Sequence, residues 1–115
     1  MTSPDLALVV PCYNEAERLD PDAFLQFVTT HPGVQLVLVD DGSADATGEI
    51  LERMRAAAPV AVTTLRLSSR RGKAETVRQG ILAGLAQRAA LVGFFDADLA
   101  TPLPVIDDFL AVLRP

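Results

Sequence analysis

The sequence holds no tryptophan, one cysteine and one histidine, and its only rings besides His31 are five phenylalanines and Tyr13. A lone Cys12 excludes an intramolecular disulfide, so packing has to hold the fold and the cytosol is the expected compartment. A single histidine excludes a histidine-based metal centre. It also leaves a Ser-His-Asp hydrolase only His31, which lies in a helix-ending "HPG" read as surface, before the second strand and at the wrong edge of a sheet. The scarcity of rings means an aliphatic core. Positive charge is short as well: ten Lys and Arg stand against fifteen Asp and Glu, a formal charge of −5. That deficit argues against nucleic acid as a partner, because phosphate contacts need a surplus of basic side chains. No apolar run approaches the ~18 residues of a spanning helix, and the polar start "MTSPD" is not a signal peptide, so no transmembrane segment is expected. Repeats, low-complexity tracts and linkers are absent from the sequence, and its length suits one domain, residues 1–115, with a modest core.

What the chain does contain is a regular alternation. "LALVVP" (6–11), "VQLVLVD" (34–40), "VAVTTLRL" (60–67) and "ALVGFFD" (90–96) are short aliphatic runs of the kind that form buried parallel strands. Helices fit between them. Asp20 caps the first, with Pro21 at its first position and "HPG" stopping it. The second starts near Asp45, with Ser43 or Asp45 as its cap. The third carries an apolar stripe of Val77, Gly80, Ile81, Gly84 and Leu85, in which two glycines imply close approach to the sheet. The fourth follows Thr101 and Pro102, with Val105, Ile106, Phe109, Leu110 and Leu113 inward. Four βα units in sequence imply an α/β fold with a parallel, Rossmann-like sheet and helices on both faces. A strand order of 3-2-1-4 would make the fourth strand an open, apolar edge, from which self-association as a homodimer is expected.

Ligands of such sheets bind at the carboxyl ends of the strands. Each unusual polar cluster falls there: "PCYNEAE" after strand one, "DDGSAD" after strand two, "SSRRGK" after strand three and "DADLATP" after strand four. Asp96 and Asp98 would repel unless solvated or bridged by a cation, and a hydrated Mg²⁺ or Mn²⁺ takes one or two carboxylates plus substrate phosphates. Taken alone, an Asp-x-Asp pair is equally readable as a helix cap. Gly42 suits a tight turn, yet Asp40 and Asp41 exceed what a turn needs. Arg70, Arg71 and Lys73 gather where a helix start also favours anions. A dinucleotide-binding dehydrogenase domain is excluded because "PCYNEAE" replaces the glycine-rich turn. A phosphoacceptor receiver would place its acidic pair after strand one.

Together "VVPCYNE", "LVDDGSADAT", "RRGKAETVRQG" and "FFDADLATP" resemble the successive motifs of family-2 glycosyltransferases with the GT-A fold, with the closest likeness to polyprenyl- or dolichyl-phosphate sugar transferases. The likeness runs from about Leu6 to Leu113. It implies the first half of a GT-A nucleotide-diphospho-sugar transferase fold, because the family's domain extends well beyond this length. It implies that Pro11, Tyr13 and Glu15 line the base and ribose, that Asp41 with Asp40 beside it contacts the base, and that Lys73 lies near the nucleotide. Asp96 and Asp98 become the metal-holding pair, with Mg²⁺ or Mn²⁺ as cofactor and Asp98 the more direct ligand. The implied activity is inverting, metal-dependent transfer from a UDP- or GDP-sugar to a polyprenyl or dolichyl phosphate, at the cytoplasmic face of a membrane. No general base is identified in the chain. Where mannosyl-transferring relatives carry a glutamine two residues after the second Asp, this chain has Ala100. The alternative is a nucleotide-binding module without transfer activity.

Overall fold

A computed structural model describes residues 3–113. The elements alternate as the periodicity implies: β1 (Leu6–Cys12), α1 (Pro21–Thr30), β2 (Val34–Asp40), α2 (Thr47–Ala57), β3 (Val62–Arg66), α3 (Lys73–Ala86), β4 (Leu91–Phe94) and α4 (Val105–Leu113). The strands form one sheet in the order β3-β2-β1-β4, and every pairing is parallel. β1 and β2 are central and almost wholly buried, as their unbroken aliphatic runs require. β3 and β4 are shorter than the runs at 60–67 and 90–96 suggest, because each pairs on one side only and its ends peel into loops.

Alternation along β1 and β2 divides the core. Leu6, Leu8, Val10, Leu36 and Leu38 face one side, against Phe24 and Phe27 of α1, Leu51 and Met54 of α2, and Ile106 and Leu110 of α4. Ala7, Val9, Val37 and Val39 face the other, which α3 covers. α1 begins as read, with Asp20 Oδ1 accepting the N–H of Ala23 at 3.1 Å and Pro21 in the first turn. α2 begins at Thr47 with Ala46 at its N-cap and no side-chain cap, so neither Ser43 nor Asp45 caps it as expected; Asp45 stands one position further out, where its Oδ1 accepts the N–H of Thr47 at 2.9 Å.

Three further expectations need correcting. The face of α3 nearest the sheet is Thr76, Gly80 and Gly84, while Leu85 is exposed. A Cβ on Gly80 would lie 2.2 Å from Val9 Cγ1, so only the smallest residues fit where helix and sheet come closest. On α4, Ile106 and Leu110 are buried, but Phe109 and Leu113 are 61% and 59% exposed. Those two lie on the side of α4 that no other described element covers. His31 is not simply a surface residue. Its ring stacks on Phe27 at a centroid distance of 3.9 Å, and its Nε2 lies 2.8 Å from Asp107 Oδ1, joining the end of α1 to α4.

Candidate functional site

The loops after the four strands converge as the parallel order demands, and hydrogen bonds across 23 or more residues of sequence lock them together. The backbone N–H of Asn14 donates to Ser43 Oγ at 2.9 Å, and Asn14 Oδ1 in turn accepts the N–H of Ala44 at 2.9 Å. The N–H of Glu15 donates to Thr47 Oγ1 at 2.8 Å. Asn14 adopts a positive φ of 49°, a conformation asparagine tolerates better than most residues. These bonds fix the "PCYNEAE" turn on the start of α2, so that Tyr13 and Glu15 face one cavity.

The loop after β3 is held on the other side. Asp41 is 3% exposed, and its two carboxylate oxygens accept the N–H groups of Arg71 at 2.6 Å and Gly72 at 3.0 Å. Beside it Gly42 has φ +67°, and a Cβ there would sit 2.8 Å from the Arg70 nitrogen. A side chain would therefore meet both the strain of the left-handed region and the backbone of the neighbouring loop. So braced, the loop lays the Arg70 guanidinium over the Tyr13 ring at 4.1 Å and brings Lys73 Nζ to 3.0 Å from Asp96 Oδ1.

The turn after β4 separates its residues by side. Ala97 is buried in the core, whereas Asp96 and Asp98 line the cavity. Leu99 closes the turn at φ +55°, a strained conformation for a branched side chain, and Asp98 Oδ1 accepts the N–H of Ala100 at 3.0 Å. The outcome is an open cavity of about 380 Å³ at the carboxyl ends of the strands, lined by Pro11, Cys12, Tyr13, Glu15, Asp41, Arg70, Lys73, Thr76, Asp96, Ala97 and Asp98.

Of the residues singled out in the sequence, Pro11, Tyr13, Glu15, Asp41, Lys73, Asp96 and Asp98 meet there. Asp40 does not line it. Consecutive residues at a strand end point to opposite sides, and Asp40 turns toward α2, where its Oδ1 accepts the N–H of Ser43 at 2.9 Å and Arg66 stands 3.7 Å from its Oδ2. Thr76 and Cys12 also line the cavity, and no pattern in the sequence singles them out. Thr76 donates its hydroxyl to the carbonyl of Gly72 at 2.8 Å, and the Cys12 thiol is pushed up to about 12, chiefly by burial and then by Glu15 and Asp40. A thiol so far from ionising is no nucleophile.

The sequence profile of glycosyl transferase family 2 matches residues 7–113. The chain belongs to this family. A dolichyl-phosphate beta-glucosyltransferase of Drosophila melanogaster is 34% identical over an alignment that takes in 96% of this chain and 36% of that protein. A polyprenol monophosphomannose synthase of Mycolicibacterium smegmatis is 31% identical, over 79% of this chain and 34% of its own length. The chain thus spans about a third of the length of these curated relatives. Among solved structures, a mannosyltransferase of Pyrobaculum calidifontis in complex with GDP-Man and Mn²⁺ superposes with a TM-score of 0.65 at 24% identity, covering 88% of this chain and 34% of that one. TarS of S. aureus in complex with UDP-GlcNAc gives 0.61 at 23%, covering 94% and 31%. The sheet and helices of this family-2 chain are therefore those of one portion of the GT-A fold.

A divalent cation suits the donor set. Asp96 and Asp98 offer hard carboxylate oxygens on the cavity wall, and among the described residues no three His, Cys, Asp or Glu cluster to hold a metal unaided. Two carboxylates with the remaining positions left to water and phosphate is the arrangement Mg²⁺ and Mn²⁺ accept.

Proposed function

We propose that this chain forms the donor-binding part of an inverting, metal-dependent glycosyltransferase that takes a UDP- or GDP-sugar and serves transfer to a polyprenyl or dolichyl phosphate. The observation that carries the reading is the charge of the cavity. Four carboxylates, Glu15, Asp41, Asp96 and Asp98, face two cations, Arg70 and Lys73, across its walls. A nucleoside diphosphate entering alone would meet net negative charge, so a divalent cation held by Asp96 and Asp98 reconciles the two. When bound, that cation neutralises the charge building on the departing diphosphate.

The remaining walls suit a nucleoside. Glu15 lines the cavity with its carboxylate turned partly inward, Oε2 buried and ion-paired with Arg18 at 3.1 Å, and presents an acceptor group on the wall where a ribose would lie. Tyr13 and Arg70 provide flat surfaces for a base, and Lys73 reaches the phosphate end. Curated relatives named for dolichyl phosphate and polyprenol point to a lipid phosphate acceptor. Such an acceptor is anionic at neutral pH and needs no general base. Its attack on the anomeric carbon from the face opposite the diphosphate inverts configuration.

Calorimetry of UDP and GDP with wild type and Asp98→Asn, each with Mn²⁺ and with chelator, tests the reading. Tight binding is expected only for wild type with metal, and equal affinity in every condition overturns it. Turnover of a nucleotide sugar with polyprenyl phosphate separates a transferase from a binding module.

A further inference from the structure

Lys73 is the first residue of α3, and three contacts fix where its ammonium goes. Asp41 anchors the preceding loop through Arg71 and Gly72, the ammonium stands 5.8 Å from the centroid of the Phe94 ring, and it ends 3.0 Å from Asp96 Oδ1. Its position is therefore set by the backbone of the loop as well as by attraction to one carboxylate. Asp98, the other carboxylate of the turn, meets only the N–H of Ala100 among the hydrogen bonds of the described residues. The pair is thus unequal, with one carboxylate already carrying a cation and the other open.

We infer that Lys73 is a placeholder cation: it neutralises Asp96 while the cavity is free of donor, keeps a divalent metal from settling there alone, and passes to the diphosphate when the nucleotide arrives. The inference rests on the metal-and-nucleotide reading above and adds an order to it. An ammonium and a divalent cation cannot both sit against the same carboxylate oxygen without strong repulsion. Metal alone must displace Lys73 and leave it unpaired. Metal arriving with a diphosphate meets no such obstacle, because the phosphates take the ammonium as Asp96 takes the metal. Metal and nucleotide then favour one another, and the coupling is reciprocal by linkage. Toward the metal Lys73 acts through Asp96, and toward the nucleotide it binds the phosphates directly.

The test uses Mn²⁺ alone, without nucleotide, and follows free Mn²⁺ by electron paramagnetic resonance during titration of the whole chain. Lys73→Met, with a side chain of similar length, is expected to bind Mn²⁺ about thirtyfold more tightly than wild type, the factor matching the repulsion between a unit and a divalent charge about 4 Å apart in a watery site. Lys73→Arg keeps the charge and should behave as wild type. Lys73→Met combined with Asp96→Asn should lose the gain. Equal Mn²⁺ affinity in wild type and Lys73→Met overturns the inference, as does a gain that survives the loss of Asp96. Lys73 is exposed, so its variants are expected to fold, and matching melting curves check this. A separate titration of wild type with Mn²⁺ and GDP or UDP judges the donor reading. Failure of a ternary complex there overturns that reading and leaves the metal-alone result standing.

Discussion

Asp41 commits both carboxylate oxygens to backbone N–H groups, and this makes it the brace of the cavity before it is a contact for any ligand. Replacing it with alanine leaves two N–H groups without an acceptor in a poorly hydrated place, and charge-assisted bonds of this kind contribute about 2 kcal/mol. Asp41→Ala should therefore lower the free energy of unfolding in urea by that order, and should weaken nucleotide binding too because Arg70 and Lys73 lose their support. Asp41→Asn, which keeps one acceptor, should lie between. An Asp41→Ala protein of unchanged stability would show that the loop is held by other means. Cys12 makes a prediction about pH. Its folded pKa, about 12, stands above the 9.0 of an unperturbed thiol, so the neutral buried thiol contributes stability that is whole below pH 9 and falls away as pH rises toward 12. Fully developed, the loss is roughly 4 kcal/mol. Denaturant titrations from pH 8 to 11 should show a steeper decline for wild type than for Cys12→Ala, and parallel slopes would contradict it.

At the scale of elements, the sequence was most legible where chain order and periodicity do the work. Four aliphatic runs separated by helix-length segments admit few arrangements, and the observed β3-β2-β1-β4 order is among the simplest. The convergence of the polar clusters follows from parallelism alone. What was hidden depended on neighbours far along the chain. Asn14 looks like an ordinary turn residue until Ser43 and Ala44 are brought against it, and Asp40 looks like part of the site until the strand's alternation turns it toward α2. The stripe on α3 was legible in part: its two glycines do mark the closest approach to the sheet, but hydrophobicity also selects Leu85, which is exposed, and passes over Thr76, the third residue of that line. Gly80 yields the element-scale prediction. An alanine there would gain about 1 kcal/mol in helix propensity but forces a methyl against Val9, which is wholly buried and has nowhere to move. Overpacking of this kind costs about 1–3 kcal/mol, so Gly80→Ala should destabilise on balance. Gly84→Ala, whose Cβ would meet Ala7 at 2.9 Å, should be milder. Urea unfolding of both decides the matter, and a stabilised Gly80→Ala would mean that α3 can lift from the sheet.

The whole molecule is lopsided. β3 and β4 are the two edges of the sheet, and apart from Val60 the large apolar residues most exposed to solvent are Phe94 on β4, Leu82 and Leu85 on α3, and Phe109, Val112 and Leu113 on α4. A sheet edge offers unpaired N–H and C=O groups to any strand that can reach it, and proteins ordinarily protect such edges with charge, proline or a covering element. Here β4 carries none of its own charge, and the nearest ammonium, Lys73, is drawn to Asp96. The curated relatives extend over roughly three times the length matched by this chain, so in them further chain is available to meet such a flank. The 115-residue chain by itself has only another copy. Purified alone, it should self-associate with rising concentration, and a two-fold pairing of β4 with its mate would be self-complementary. Light scattering from low to high micromolar concentration should show the mass climbing above 12.3 kDa. Phe94→Lys should suppress the rise by placing charge on the open strand, and Val60→Lys, at an exposed position beside the opposite edge, should not. A chain that stays monomeric throughout, or one whose association responds equally to both substitutions, would show that the β4 flank is not the surface responsible.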